Sequence, residues 1–445
     1  MLSSSSLARF SRTLWTNAKK DVASSISSIG LPRASLSTVV LTDFEPWQDK
    51  IVHKQGDMVD YTAQLFGVEQ CHQRGILATS SEGEAIMDHT KKLFERFALS
   101  DRYIKQRRFA TFPESLDVET AATKANPSLP STCRPEIGEE KLGTINGVPL
   151  EDRMTQYRDY VGSIMKDWYG DKREGKRPSD IVHVSCSGYM SPSPPQTLVS
   201  TMGWHQTKVT HAYHRGCYAA FPALRVATGL KATHDLAKTK GRVDVCHTEF
   251  LSLHFDPSKN DPGNIITMTL FADGGFMKYS LYSGEEFEAE QSTKPRTGLR
   301  ILGFHEEIIP DSLSEMTWVP GNFQFDMYLS QKVPDYIQEA IVSFVIRLCE
   351  NAGLDYHEEK ERLVFAVHPG GPRIVDYVRD ELGIRDDQID LGREVLKENG
   401  NMSSTTATYI WKAILDNDNI PRGSKVVSIA FGPGLTATGA VFEKV

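Results

Sequence analysis

Strand-like apolar runs alternate with helix-like segments along most of this chain, and this alternation constrains the fold more than any other feature. Residues 181–185 and 363–367 are short apolar runs, and each precedes a helix-like segment. This alternation is typical of α/β proteins, whose sheets are buried between helices. With 445 residues, the chain could hold two or three ordinary domains or one large duplicated α/β unit.

Periodicity and turn residues predict individual elements. Apolar residues at helical spacing predict an amphipathic helix over residues 335–351, and Pro372 predicts the start of a helix that continues to Leu382. We predict strands at four short apolar runs: 181–185, 243–246, 265–271 and 363–367. Two further runs, 425–431 and 437–445, are predicted to form a closing hairpin around Gly432-Pro433-Gly434.

Composition excludes several classes of function. A net charge of -8 argues against a nucleic-acid surface, which needs clustered Lys and Arg. No apolar stretch approaches the roughly 20 residues that cross a bilayer, so we expect no membrane span. The six cysteines include no Cys-x-x-Cys pair, so neither a zinc site nor a disulfide framework is indicated.

The first 42 residues differ from the rest of the chain. They are rich in Ser and carry five basic residues against a single acid, Asp21. This composition fits an organellar transit peptide or a disordered extension, and folded sequence is expected to begin near Val39. We expect a cytoplasmic protein, with organelle targeting by residues 1–42 as the alternative.

Three residues in a fixed order carry the predicted chemistry. Cys217 opens an apolar helix-like run, and His368 and Asn401 follow in glycine-rich turns, Val-His-Pro-Gly-Gly-Pro and Gly-Asn-Met-Ser-Ser. Each alone has a structural interpretation: a packed cysteine, a turn histidine and a left-handed asparagine. Together they supply a nucleophile, a base and a neutral donor, the groups needed to hold an acyl thioester and to decarboxylate a malonyl unit beside it.

The surroundings of Cys217 bear on its reactivity. A helix N-terminus and Arg215, two residues earlier, are both expected to lower the pKa of the thiol. His214 is a rival base, and with His205 and His211 it could suggest a metal cluster. No carboxylate or cysteine pattern completes that set, so we expect no metal.

Five stretches of the sequence resemble the type III polyketide synthases, the chalcone-synthase-like branch of the thiolase superfamily. They are Arg215-Gly-Cys-Tyr-Ala-Ala, Leu329-Ser-Gln-Lys-Val-Pro, Val367-His-Pro-Gly-Gly-Pro, Gly392-Arg-Glu-Val-Leu with Gly400-Asn-Met-Ser-Ser, and Ala430-Phe-Gly-Pro-Gly-Leu. The resemblance spans roughly residues 75–445. It implies an α/β protein of the thiolase-like five-layer αβαβα fold, built from two related halves and working as a homodimer. We place the N-terminal half, with the nucleophile, at 43–275, and the C-terminal half, with His and Asn, at 276–445.

The resemblance also implies roles for residues. Cys217 would accept the acyl group, and His368 with Asn401 would form the decarboxylation pair. Phe255 and Met327 would occupy the two gatekeeper positions, and Met327 departs from the phenylalanine of the family. Four motif residues are predicted to bind substrate: Ser403, Gly432, Pro433 and Gly434.

The activity implied is that of an acyltransferase that forms carbon–carbon bonds. It would condense malonyl units by decarboxylation onto a starter held on Cys217 and cyclise the product to a pyrone, a resorcinol or a related secondary metabolite. The alternatives are a β-ketoacyl synthase III-like or chain-joining ketosynthase that condenses once, and an inactive duplicate. Acyl-CoA and malonyl-CoA are the expected substrates, with no cofactor. Basic residues for the CoA phosphates align poorly, which leaves an acyl carrier protein as an alternative donor; the candidates are Arg96, Arg102, Lys105, Arg107 and Arg108.

Overall fold

The computed structural model describes residues 39–113, 116, 148–170, 177–291 and 296–445. Within these residues the strands are β1 (Val39–Trp47), β2 (Val52–Lys54), β3 (Gln106–Arg108), β4 (Asp180–Ser185), β5 (Lys208–Tyr213), β6 (Val243–Thr248), β7 (Phe276–Ser283), β8 (Leu299–Ile308), β9 (Met316–Pro320), β10 (Phe325–Leu329), β11 (Val364–Val367), β12 (Lys425–Gly432) and β13 (Thr436–Lys444).

The helices of the same residues lie mainly between these strands. They are α1 (Gln55–Gln73), α2 (Ser81–Phe97), α3 (Leu150–Tyr169), α4 (Pro194–Thr201), α5 (Ala220–Leu236), α6 (Pro262–Leu270), α7 (Gly284–Gln291), α8 (Val333–Asn351), α9 (Tyr356–Glu359), α10 (Pro372–Leu382), α11 (Asp390–Asn399) and α12 (Ser404–Asp416). No helix of the described residues is long and apolar enough to cross a membrane.

Nine strands form one mixed sheet in the order β11-β12-β13-β8-β1-β7-β6-β4-β5. The order contains a repeat, because β1-β7-β6-β4 and β8-β13-β12-β11 each begin with the first strand of the series, continue with its last and its penultimate strand, and then reach an earlier strand. The first series has one more strand, β5, beyond β4. The directions repeat too, since the first two pairings of each series are antiparallel and the third is parallel. An antiparallel pairing of β1 with β8 joins the two series. The α/β class and the plan of two related halves, predicted from the sequence, are therefore confirmed.

Two buried helices occupy equivalent places in the two series. The helix α5 precedes β6, and α12 precedes β12, and their apolar residues share one core cluster. The rings of Phe221 and Trp411 meet there at 5.7 Å between centroids. Because Cys217 lies just before α5 and Asn401 just before α12, the duplicated topology brings the starts of both helices to one place.

Most of the elements predicted from periodicity are present. The amphipathic helix is α8, and its predicted inward residues are buried: Ile337, Ile341, Phe344, Val345 and Leu348. Pro372 is the first residue of α10, and β12 and β13 form the closing antiparallel hairpin.

The strand predicted at residues 265–271 is wrong, because this run is most of the helix α6 and the residue after it. The side chain of Asp261 accepts a hydrogen bond from the backbone N–H of Asn264 at 3.1 Å, and Pro262 begins the helix. An N-cap and an N1 proline nucleate a helix even where β-branched residues follow, and helical packing then overrides their strand preference.

The described residues cover the predicted segment boundaries only in part. Residues 1–38 of the predicted extension lie outside the described residues, and 39–42 belong to β1. The boundary after residue 275 stays a prediction; the strand that follows it, β7, lies between β1 and β6 in the sheet.

Candidate active site

Cys217 lies in a single 3₁₀ turn, Gly216–Tyr218, immediately before α5. Gly216 has φ +64°, and a Cβ there would stand 2.7 Å from Pro433 Cδ, so the turn needs glycine. The tight turn presents the cysteine at the start of a buried helix, where its side chain lines an apolar cavity and keeps part of its surface accessible. The placement predicted for Cys217, at a helix start, is confirmed.

Asn401 follows Gly400, which has φ +74°, at the start of the turn into α12. Its backbone is held by the end of α6: its N–H donates to the carbonyl of Leu270 at 3.0 Å, and its own carbonyl accepts from Ala272 N–H at 2.9 Å. Its Oδ1 accepts from the backbone N–H of Ser403 at 2.8 Å. This bond assigns the orientation of the amide and turns Nδ2 toward Cys217 Sγ, at 4.0 Å.

His368 follows β11, and its backbone N–H donates to the carbonyl of Ile429 at 2.8 Å. The side chain is 1% exposed, and neither ring nitrogen has a hydrogen-bond partner among the described residues. Buried imidazoles are almost always hydrogen-bonded, so an imidazole without partners marks a site where a ligand could supply them. The described hydrogen bonds join Asn401 to Cys217 but join His368 to neither.

The pKa values of Cys217 and His368 are shifted in opposite directions by the same cause. Burial raises the pKa of the Cys217 thiol to about 12 and lowers the pKa of His368 to about 3. The expectation that a helix start and Arg215 lower the pKa of the thiol is therefore wrong. The Arg215 side chain is exposed, and desolvation of the thiolate is the largest effect.

The cavity beside Cys217 measures about 830 Å³ including its open mouth. Most of its lining is apolar, and it contains four of the predicted substrate-binding residues: Phe255, Met327, Ser403 and Pro433. The predicted Gly432 and Gly434 are not among the lining residues. A Cβ on Gly432 would stand 2.4 Å from Tyr218 Cδ1, so this glycine lets the closing hairpin approach the cysteine turn.

Five aromatic residues of the lining were not predicted: Phe109, Phe112, Phe271, Trp318 and Phe325. Phe271 pairs with Asn401 in an isolated parallel β-bridge. It was overlooked because its segment was interpreted as a strand. Phe325 lies two residues before Met327 in β10, and the period of two along a strand could have indicated that both face the cavity.

A buried carboxylate behind Cys217 was also not predicted. Glu249 accepts from the backbone N–H of Cys186 at 2.8 Å, and Ser404 donates to its other oxygen. Cys186 lines the cavity too, and its Sγ lies 3.0 Å from Ser403 Oγ. Burial raises the pKa of Glu249. No motif pointed to this residue, since a single acid after a strand has no distinctive spacing.

The other histidines near the cysteine turn have structural partners. His214 Nε2 donates to the carbonyl of Trp318 at 2.7 Å, so the rival base is engaged in holding β9. His211 Nε2 bonds to Ser193 Oγ at 2.9 Å, and His205 is exposed. Among the described residues, no group of three His, Cys, Asp or Glu side chains could hold a metal ion.

The candidate phosphate-binding residues do not line this cavity. Arg96, Arg102 and Lys105 are exposed elsewhere, whereas Arg107 is fully buried and cannot reach a phosphate in solvent. The cation that does line the cavity is Lys259, and it pairs with Asp326 at 2.6 Å and with Asp256 at 3.5 Å.

Part of the chain matches a known protein family. Residues 304–445 match the family described as chalcone and stilbene synthases, C-terminal domain. This match covers the C-terminal third of the chain, which is therefore similar to the chalcone-synthase-like type III polyketide synthases. The resemblance stated from the sequence motifs is thus confirmed. A relative from Bacillus subtilis (strain 168), described as "Putative chalcone synthase", is 25% identical over 303 residues, which cover 67% of this chain and 80% of the relative.

Solved structures of this family share the fold of the chain. PKS-I from the brown alga Ectocarpus siliculosus superposes with a TM-score of 0.70 at 19% identity, covering 92% of this chain and 98% of the other. The C-terminal type III polyketide synthase domain of Steely1 from Dictyostelium gives 0.66 at 19% identity, with coverage of 92% and 99%. The 1,3,6,8-tetrahydroxynaphthalene synthase of Streptomyces coelicolor A3(2) gives 0.65 at 19% identity, with coverage of 91% and 99%. The predicted thiolase-like fold class is confirmed by these similarities.

Proposed function

We propose that the chain is an acyltransferase that extends a starter held on Cys217 by decarboxylative condensation with malonyl thioesters. The observation that carries this proposal is the Asn401 amide, which points at Cys217 Sγ across 4.0 Å beside an apolar cavity. The fold of the chain and its similarity to the type III polyketide synthases support it, because that family forms carbon–carbon bonds.

The first step loads the starter. Cys217 Sγ attacks the starter thioester while its proton passes to His368, and the departing CoA thiolate takes that proton back. Because both residues are neutral when alone, the thiolate and the imidazolium form together, and their opposite charges stabilise each other in the apolar site.

The second step forms the carbon–carbon bond. The malonyl carboxylate leaves as CO2, and its bonding electrons move into the thioester as an enolate. Asn401 Nδ2 and a ring N–H of His368 would donate to the enolate oxygen, and one such donor contributes about 100 to 1000-fold in rate. The enolate carbon attacks the acyl group on Cys217, and the cysteine thiolate leaves and takes up a proton.

The lining of the cavity suits a reactive poly-β-keto chain. Apolar walls exclude water, which would hydrolyse or protonate such a chain. Their shape would decide between the pyrone, resorcinol and related ring closures. We propose acyl-CoA and malonyl-CoA as substrates, with no cofactor; an acyl carrier protein is the alternative donor, because Lys259 is engaged by two carboxylates.

One observation favours the alternative of a single condensation. Trp318 and Phe325 project into the cavity with Met327, and Trp318 Nε1 is fixed by a bond to the Cys186 carbonyl at 2.7 Å. Rings held in this way limit the length of chain that the cavity can accommodate. A β-ketoacyl synthase III-like enzyme would stop after one extension, and product length separates the two functions.

The test of the proposal is incubation with labelled malonyl-CoA and a panel of acyl-CoAs, followed by product mass measurement. Products two carbons longer for each lost CO2 are expected, with the acyl adduct on the Cys217 peptide. Cys217→Ala should carry no adduct and yield no product. An adduct on Cys186 or Cys246, with Cys217 unmodified, would refute the assignment of the nucleophile.

We also propose a homodimer. The strand β5 is the last strand of the nine-stranded sheet, and within the described residues it pairs only with β4. An edge strand with free backbone groups is a template for pairing with a second copy. Tyr189, 64% exposed, packs edge-on against Tyr213 of this strand and would add apolar area to such a contact.

A further inference from the structure

Arg107, in β3, is a fully buried cation that the condensation mechanism does not use. Its Nε donates to Gln55 Oε1 at 2.6 Å, and its Nη1 donates to the carbonyls of Met268 at 2.9 Å and Phe271 at 2.7 Å. Its Nη2 is buried and has no hydrogen-bond partner within the part of the chain that the structure describes. A buried guanidinium with an unused donor is costly to keep, so its position calls for a physical reason.

The two carbonyls that Arg107 binds lie at the end of α6. The last carbonyls of a helix have no partner within the helix and form the negative end of its dipole. A guanidinium there satisfies them with charge-assisted bonds. Burial lowers the pKa of Arg107 to about 9, which leaves the group charged at neutral pH. Arg107 therefore fixes where α6 ends and how the chain leaves it.

The same end of α6 holds Asn401. Leu270 and Ala272, on either side of Phe271, bond to the backbone N–H and carbonyl of Asn401. Gly400 packs directly on the arginine, since a Cβ on Gly400 would stand 3.0 Å from Arg107 Cγ and Cδ. Arg107 thus supports both residues 270–272, which bond to the backbone of Asn401, and the Gly400 turn that precedes Asn401.

We propose that Arg107 is a positioning residue for Asn401: by fixing the end of α6 and the Gly400 turn, it aims the Asn401 amide at Cys217. The inference rests on the proposed function, in which Asn401 acts during decarboxylation. Arg107 itself is fully buried, and its hydrogen bonds go to Gln55 and to the end of α6, so it acts through Asn401.

The test separates the two half-reactions in Arg107→Lys and Arg107→Met. Starter loading is followed by the intact mass of the protein, and decarboxylation by the release of labelled CO2 from malonyl-CoA. Loading should stay near the wild-type rate while decarboxylation falls by roughly 100-fold, the size of effect that a shift of about 1 Å produces. Gln55→Met removes the acceptor of Arg107 Nε together with the bonds from Gln55 Nε2 to the carbonyls of Leu99 and Thr269. It should give the same split to a smaller degree and covers the case in which the arginine variants do not fold.

Arg153 offers a matched control. It is also fully buried, and it donates to backbone carbonyls of a different segment, those of Val148 at 3.0 Å and Leu253 at 2.6 Å. Arg153→Lys should lower the Tm about as much as Arg107→Lys does. It should leave the ratio of decarboxylation to loading at its wild-type value. Amide hydrogen exchange at residues 400–402 should rise in Arg107→Lys and not in Arg153→Lys.

Two outcomes would overturn the inference. One is a parallel loss of loading and decarboxylation in Arg107→Lys and Arg153→Lys alike, and the other is unchanged exchange at 400–402 in Arg107→Lys. A wild-type protein that loads a starter but releases no CO2 would instead refute the proposed function, and the exchange measurement would still decide the role of Arg107.

Discussion

The opposed pKa shifts of Cys217 and His368 show that a charge on either residue alone is disfavoured. Burial raises the pKa of the thiol to about 12 and lowers that of the imidazole to about 3, because each shift penalises a lone charge. A thiolate–imidazolium pair has no net charge and escapes most of that penalty. Under the proposed function, in which the thiol proton passes to His368, the two residues are expected to titrate as one unit.

We predict that His368→Gln moves the reactivity of Cys217 to higher pH. Alkylation follows the thiolate, whose fraction rises as pH increases through the thiol pKa; without the imidazole that pKa should move toward about 12. The rate of iodoacetamide labelling of the Cys217 peptide against pH measures the shift. His214→Gln, whose histidine bonds to the Trp318 carbonyl, should leave the profile in place. An unchanged midpoint in His368→Gln would contradict the pairing.

Asn401 and His368 should divide the reaction between them. Asn401→Ala should reduce malonyl decarboxylation by about 100 to 1000-fold, the contribution of one donor to an oxyanion, and leave loading of Cys217 largely intact. His368→Ala should damage both steps, because the imidazole also accepts the thiol proton. Single-turnover loading and CO2 release measure the two steps separately. Equal loss of loading in the two variants would be evidence against this scheme.

At the scale of elements, the hairpin of β9 and β10 forms a wall of the cavity. Met327 pairs across the hairpin with Trp318, and both line the cavity. The main body holds the hairpin through His254: its Nδ1 accepts from Phe325 N–H at 3.0 Å, and its Nε2 donates to the Ser187 carbonyl at 2.7 Å. Met327 therefore lines the cavity, and its gatekeeper role stays a prediction.

We predict that Met327→Phe shifts starter use toward shorter acyl chains. A methionine side chain can rotate aside where a phenylalanine ring cannot, so the wild-type wall should admit medium to long aliphatic starters. The change in discrimination should be modest, about 1 to 3 kcal/mol. Relative kcat/KM values over a series of acyl-CoA lengths measure it, with Tyr328→Phe on the exposed face of the same strand as the control. An unaltered length profile in a folded Met327→Phe protein would contradict the gatekeeper role.

At the scale of the whole molecule, the edge strand β5 is the basis for the proposed homodimer. Sedimentation should give twice the chain mass of 49.7 kDa. In a twofold contact, Thr210→Glu would place like charges near each other across the paired strands and should favour monomers. Val364→Glu, on the opposite edge strand β11, is the control and should leave the dimer intact. A monomeric wild-type protein would exclude the proposed dimer.

The sequence by itself determined the α/β class, the amphipathic helix α8 and the closing hairpin, and its motifs indicated Cys217 and Asn401, which the structure brings together. These features have local signals: periodicity over many residues, glycine and proline at turns, and motifs in a fixed order. The helix α6 was missed because its apolar run is short and β-branched, and its cap at Asp261 was not weighed against that preference.

Only the tertiary structure decided the protonation states of Cys217 and His368 and which residues from distant segments pack around them. Arg215 lies two residues from Cys217 but is exposed, whereas Glu249, Phe271 and Arg107 surround the site from distant segments. Desolvation depends on everything packed around a group, and sequence spacing does not report it. The repeated strand order likewise emerged from pairings between strands far apart in the chain, for which no repeat is visible in the letters.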